Sequence, residues 1–338
     1  MTKPITVAVT GLNAVDSPGP GISVIRSLLE STRYSVKIIG LAYESMEPGI
    51  YMKELVHKTY HIPYPSSGSE NLLERLRYIH DREKIDVLIP NFDAELLSFI
   101  KLESPLRHMG IAMCLPNEKQ FESRQKANLV QFGHDHGVDV PYSSSLYAVK
   151  DIVKTLASFS FPVIVKGQYY EAFVARTLDE TIAYFKTIQK KWGLPVIVQQ
   201  FVKGQEYNVV ALGDGAGDMV GAVAMKKNFV TDKGKAWAGV SIDEPGLLAL
   251  AKHIIRRTCW RGCLEIELVK TSEGRYYVIE INPRIPAWIY LATGAQQNLP
   301  EALVALALGD HVTPYASYQF CKMFIRYSYD MIVNMEDY

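Results

Sequence analysis

Residues 275–288 read RYYVIEINPRIPAW, and they place Glu280, Asn282 and Arg284 at alternate positions of an otherwise apolar run. Side chains alternate across a β-strand, so Val278, Glu280 and Asn282 share one face while Ile279 and Ile281 share the other. The isoleucines suit a core. The polar face needs partners, because a buried carboxylate without one costs several kcal/mol. A hard cation is one such partner: Glu and Asn oxygens suit a magnesium ion shared with phosphate oxygens, and Arg284 would extend the same face with a planar fork for an anion. Taken alone, the motif reads first as an edge strand whose polar face meets water.

The residues just before it sharpen the choice. CLEIELVK (263–270) alternates strictly and puts Glu265 and Glu267 on one face, and TSEG turns the chain back into the opening strand. A hairpin therefore brings at least one of these glutamates beside Glu280. Opposed carboxylates repel, which favours a cation between them.

Further out, ITVAVTGLN (5–13), YSVKIIGLA (34–42) and IDVLIPN (85–91) read as strands, separated by the helix-like ISVIRSLLES (22–31) and NLLERLRYIHDRE (71–83). Alternation of this kind implies a parallel sheet. The turn DSPGPG invites a dinucleotide-binding reading with Glu44 as the ribose acid, although the spacing of Gly11, Gly19 and Gly21 departs from G-x-G-x-x-G. The pattern then changes. ESRQKANLVQFGHDHGV (122–138) reads as a helix ending near Gly137, followed by strands FPVIVKG (161–167) and AFVAR (172–176). Thr177 and Glu180 form a capping box for the helix at 178–192. PVIVQQFV (195–202), EYNVVALGD (206–214) and MVGAVAMKK (219–227) continue as strands, and PGLLALAKHIIRRT (245–258) has helical apolar spacing. The fold class is α/β followed by α+β.

With 36 basic and 36 acidic residues, the chain has no electrostatic case for nucleic acid or an anionic membrane. No apolar run is long enough to span a bilayer, and the start lacks the h-region of a signal peptide, so a cytoplasmic protein is expected. Cys114, Cys259, Cys263 and Cys321 are too scattered for a disulfide framework, and no histidine or second pair turns Cys259 and Cys263 into a metal site.

Together these motifs resemble the ATP-grasp superfamily over nearly the whole chain. The resemblance implies a Rossmann-like pre-ATP-grasp domain at 1–115, then a two-lobed ATP-grasp domain with a central lobe at 116–198 and a C-terminal lobe at 199–338. It implies ATP and magnesium as cofactors, with manganese as a substitute. Glu267, Glu280 and Asn282 become the metal ligands; Glu267 is preferred to Glu265 because its separation from Glu280 fits the family hairpin better. IVQQFVKGQEY resembles the adenine hinge: Gln199, Gln200, Phe201 and Val202 border the base, and Glu206 meets the ribose. Lys126 and Lys166 match the family's phosphate lysines. Arg284 would meet the substrate carboxylate or acyl phosphate, with Pro286 and Trp288 shaping the wall beside it.

The departure from the family is KGQYYEAFVA, short and aromatic where a glycine-rich loop is usual. Phosphate cover is instead expected from a flexible loop at 225–239, which carries Lys226, Lys227, Lys233 and Lys235. Arg326 on the late strand CKMFIRYSYD is a further pocket candidate. The resemblance implies a ligase joining a small-molecule or peptide carboxylate to an amine-type acceptor, as a homodimer. Three alternatives stay open: a bicarbonate-using carboxylase or carbamoyl-phosphate synthetase-like enzyme, a non-catalytic nucleotide sensor or scaffold, and, from the glycine turn alone, a dehydrogenase.

Overall fold

Strand β1 (Lys3–Val9) pairs in parallel with β2 (Tyr34–Ala42), which pairs in parallel with β3 (Lys58–His61); on its other side β1 pairs with β4 (Val87–Ile89). This sheet has the order β3-β2-β1-β4, and Val7, Ala8 and Val9 are wholly buried, as the middle of a parallel sheet requires. A computed structural model describes residues 2–15, 17–168, 171–232, 234–334 and 336. Asp16 of the glycine turn, Tyr169 and Tyr170 of the aromatic segment, and Lys233 lie outside the described residues.

Helix α1 (Pro20–Leu29) starts with a proline, whose missing N–H costs nothing in a first turn, and buries Val24, Ile25 and Leu28. Gly21 lets it start against the end of β1: a Cβ there would lie 2.3 Å from the Thr10 carbonyl oxygen. Helix α2 (Ser69–Glu83) buries Leu72, Leu76 and Ile79 at helical spacing, and α3 (Asp93–Lys101) follows β4.

The chain divides into two compact units. The first comprises 1–118, 208–265 and 282–338, and the second comprises 119–207 and 266–281. The second unit begins differently from the sequence expectation. The continuous helix expected from residue 122 is broken: Glu118–Ser123 is helical, Lys126–Asn128 is a short 3-10 turn, and α4 (Leu129–His136) starts afresh. The cause is local competition for backbone groups. Gln125 is extended, and the Asn128 side-chain amide donates to the Glu122 carbonyl at 3.0 Å. α4 ends at Gly137 with φ 67°, as expected.

Strands β5 (Ser143–Leu146), β6 (Val163–Gly167), β7 (Ala172–Ala175) and β8 (Val196–Gln200) form an antiparallel sheet of order β5-β8-β6-β7. Helix α5 (Leu178–Trp192) packs on it through Phe185 and Ile188, against Val163, Val165, Val196 and Val198. Its N-cap is Thr177, which accepts from the Glu180 backbone N–H at 3.2 Å, while the Glu180 carboxylate reaches the Arg176 rather than the Thr177 N–H.

Strands β9 (Gln205–Asp214), β10 (Met219–Val230) and β11 (Ala236–Ser241) are antiparallel, helix α6 (Pro245–Thr258) follows, and the late strand shortens to Met323–Ile325 beside β11. The flexible loop expected at 225–239 is therefore a β-hairpin, in which Lys226 pairs with Val240 and Lys227 with Gly239. The strand runs on past Met225 to Val230, with register shifts after Lys227 and after Phe229. The Thr231 N–H closes the turn on the Lys235 carbonyl at 2.8 Å. Neighbouring strands β12 (Arg261–Lys270) and β13 (Tyr276–Asn282) form the expected hairpin, closed by the Thr271 N–H on the Arg275 carbonyl at 2.9 Å. Among the described residues, no helix is long and apolar enough to cross a membrane.

Candidate functional site

In the second unit, Lys166 sits near the end of β6 with 5% of its surface exposed. Register places Lys166 opposite Ile197, so Gln199, two residues along β8, shares its face. The Lys166 ammonium donates to Gln199 Oε1 at 3.0 Å and to the Ile279 carbonyl at 3.3 Å. Burial pulls its pKa down to about 8; Glu280 and Glu267 pull it back up, and the Lys126 charge adds to the lowering. Lys126 Nζ lies 3.2 Å from Glu280 Oε2, with side-chain exposures of 11% and 29%. Two ammonium groups and two carboxylates are thus gathered within one unit.

The Gln199 side chain is oriented by Lys166. Its oxygen accepts from the ammonium, and its Nε2 is left buried with no hydrogen-bond partner among the described residues. An orphaned buried donor is costly, and a ligand acceptor would satisfy it. Gln200 ends β8, and Phe201 and Val202 lie in the link to β9, Phe201 partly exposed. Gly204 holds that link close to the hairpin: a Cβ there would fall 2.3 Å from the Lys270 carbonyl oxygen. Glu206 is exposed on β9.

In the first unit, Glu265 is 6% exposed and meets three N–H donors. Trp288 Nε1 donates to its Oε1 at 2.6 Å, Asn208 Nδ2 to the same oxygen at 2.9 Å, and Asn282 Nδ2 to its Oε2 at 3.2 Å. Strand β13 ends at Asn282, and Pro283 follows. Arg284 therefore does not continue the strand's polar face as the sequence expectation had it; proline contributes no N–H to a ladder. The Arg284 Nε donates instead to Asp93 at the start of α3, 191 residues away in sequence. Lys226 is half-buried on β10, and the Arg326 backbone N–H donates to the Trp237 carbonyl at 2.9 Å.

A second polar cluster, missed in the sequence, lies where β1, β2 and β4 end. Glu95 is wholly buried and accepts from Thr10 Oγ1 at 2.5 Å, from the Tyr43 hydroxyl, and from the Asn91 and Phe92 N–H groups at 2.7 and 2.9 Å. Burial pushes the Glu95 carboxyl upward against those four donors, and burial likewise raises the Tyr43 phenol. The readable signal was NFDAE (91–95), acids directly after a parallel strand, where open α/β sheets place ligands.

The second unit's arrangement can seat an anion on its ammonium groups and a hard divalent cation on its carboxylates. No group of three or more His, Cys, Asp or Glu side chains forms a metal cage among the described residues.

Comparison with known proteins adds to this geometry. A family model described as "ATP-grasp in the biosynthetic pathway with Ter operon" matches residues 194–328. No curated protein matches the chain. The biotin carboxylase domain of 2-oxoglutarate carboxylase from Hydrogenobacter thermophilus, a dimer in complex with MgADP, ADP and bicarbonate, aligns with TM-score 0.71 at 15% identity, covering 91% of this chain and 70% of that one. N5-carboxyaminoimidazole synthetase from Staphylococcus aureus aligns with TM-score 0.68 at 14% identity, over 95% and 81%. L-amino acid ligase from Bacillus licheniformis aligns with TM-score 0.65 at 14% identity, over 91% and 75%. At such identities the likeness is one of fold.

Proposed function

We propose that the chain, whose residues 194–328 match an ATP-grasp family model, is an ATP- and magnesium-dependent ligase of that superfamily that activates a carboxylate as an acyl phosphate and transfers it to an amine. The observation that carries this reading is the grouping of Lys166, Lys126, Glu280 and Glu267 around one buried ammonium. A lysine whose pKa is driven down by burial is held ready for an anion, because phosphate oxygens would restore what desolvation removed.

In this reading Lys126 and Lys166 hold the phosphates. Gln199, with its unpaired N–H, and the backbone of Gln200, Phe201 and Val202 border the adenine, and Glu206 accepts from the ribose. Glu267, Glu280 and Asn282 would hold magnesium, which neutralises phosphate charge when bound. Arg284 positions the carboxylate substrate, and Lys226 joins the phosphate contacts. No protein nucleophile is required. The division at 1–115, 116–198 and 199–338 is part of the same proposal, as is a homodimer, the assembly of the carboxylase relative.

A second reading makes bicarbonate the activated carboxylate, on the strength of the relative crystallised with bicarbonate. One assay separates the two: magnesium-dependent release of ADP and phosphate from ATP, with pooled amino acids, dipeptides and other carboxylates plus amine acceptors, and with bicarbonate in a parallel arm. Stimulation by an organic pool supports the ligase. Stimulation by bicarbonate alone replaces it with the carboxylase. ATP binding without turnover in any arm refutes both in favour of a nucleotide sensor.

A further inference from the structure

We propose that Glu265 is a positioning residue that fixes the side-chain amide of Asn282, so that the Asn282 oxygen rather than its nitrogen is offered to the divalent cation. The inference deepens the proposed function and rests on its reading of Asn282 as a metal ligand. The sequence placed Glu265 on the same face as Glu267 without giving it a task; the structure surrounds it with donors.

An asparagine amide has two ends of nearly equal size and opposite polarity. Nothing in the shape of Asn282 decides which end faces a cation, and the wrong choice turns two N–H groups toward positive charge. Glu265 decides it. With N–H donors from Trp288, Asn208 and Asn282 converging on its two oxygens, its side chain serves only as an acceptor, so Asn282 must present Nδ2 to it. Oδ1 then points away from Glu265. Trp288 and Asn208 hold Glu265 from its other oxygen, at 2.6 and 2.9 Å, so the carboxylate cannot swing aside. The arrangement is buried and packed, the setting in which a supporting hydrogen bond acts on a ligand's orientation with little loss to water.

The test is manganese binding to the full chain with ADP present, read by electron paramagnetic resonance of free manganese, with ADP affinity and urea unfolding measured on every variant. Glu265→Gln keeps volume but turns one acceptor into a donor. Manganese affinity should fall about 10- to 100-fold, the usual consequence of losing an outer partner of a metal ligand, while metal-free ADP affinity stays within about twofold of wild type. Trp288→Phe removes one donor to Glu265 and leaves the Asn282 bond, so it should cost stability and leave manganese affinity within about threefold.

The polarity swap is decisive. Asn282→Asp alone opposes two acceptors, whereas Glu265→Gln with Asn282→Asp rebuilds the hydrogen bond in the reverse sense. The double variant should bind manganese about tenfold more tightly than Asn282→Asp, although it carries one negative charge fewer and charge alone predicts the reverse. A folded Glu265→Gln with wild-type manganese affinity overturns the inference. So does a double variant that binds no better than Asn282→Asp, which decides the matter if Glu265→Gln fails to fold. A wild-type chain that binds ADP but no manganese overturns the metal reading itself, and the inference with it.

Discussion

Replacing Lys166 with methionine keeps a flexible unbranched stem in the same space and deletes the buried ammonium. Burial lowers the Lys166 pKa from 10.5 to about 8, against the pull of Glu280 and Glu267. At roughly 1.4 kcal/mol per pH unit, that gap is worth about 3 kcal/mol. The folded chain holds this proton less tightly than the unfolded chain does. Wild-type stability should therefore rise from about pH 8 to 10.5, where only the unfolded chain keeps the proton, and lose that increment again as pH falls through about 8.

Methionine has no such dependence. It also forgoes the hydrogen bonds to Gln199 Oε1 and the Ile279 carbonyl, about 1 kcal/mol each. Lys166→Met should then be more stable than wild type by about 1 kcal/mol near pH 7 and less stable by about 2 kcal/mol near pH 10.5, with the two curves crossing between. Paired urea titrations across that range measure the difference, from which groups common to both proteins cancel. A constant difference refutes the burial argument. Calorimetry with ADP tests the phosphate role: wild-type affinity should fall about tenfold from about pH 7 to about pH 9, and that of Lys166→Met should be low and flat. Equal affinities would reject Lys166 as a phosphate contact.

Three further results are expected. Glu280→Ala should abolish ATP turnover in a chain that still unfolds cooperatively in urea, and near-normal turnover would remove its metal role. Burial works to raise the Glu83 carboxyl, but donors from Lys37, Lys58 and Tyr60 overcome it and hold the pKa at about 2, below its ordinary 4.5. Its contribution is present above about pH 4.5 and fades as pH falls toward 2, so Glu83→Gln should flatten the acid limb of a stability profile; an unchanged limb counts against the cluster. Gly204→Ala puts a methyl 2.3 Å from the Lys270 carbonyl oxygen and should cost about 1–3 kcal/mol, measured by thermal unfolding; a neutral effect would mean that the link to β9 yields freely.

Local chemistry was the readable part of this sequence. The helix Pro245–Thr258 and the strand Tyr34–Ala42 carry uninterrupted periodicity and were located to the residue. The β12–β13 hairpin was visible because its turn residues lie between two alternating runs. Segment 122–137 misled because its apolar spacing is helical, while the break comes where the Gln125 backbone is extended and the Asn128 amide takes the Glu122 carbonyl. The 225–239 stretch misled because lysines and glycines suggest a solvated loop, whereas Gly239 serves a strand packed against Met225. Partnerships across long sequence distance left no trace in the pattern. Glu265 finds Asn208 57 residues away, and Arg284 finds Asp93.

The division of the chain into interleaved segments has a consequence for biogenesis. The second unit needs residues 119–207 and 266–281, while the first needs 282–338 as well as the earliest part of the chain. During vectorial synthesis, the inserted unit is thus complete before the unit into which it is inserted. The usual amino-to-carboxyl order of domain folding is inverted here. The parallel sheet and α1 must wait for α7 (Leu299–Leu308), whose Leu299, Leu303 and Val304 belong to the same apolar cluster as Val24 and Leu28. Until then, Val24 and Leu28 lack those apolar partners.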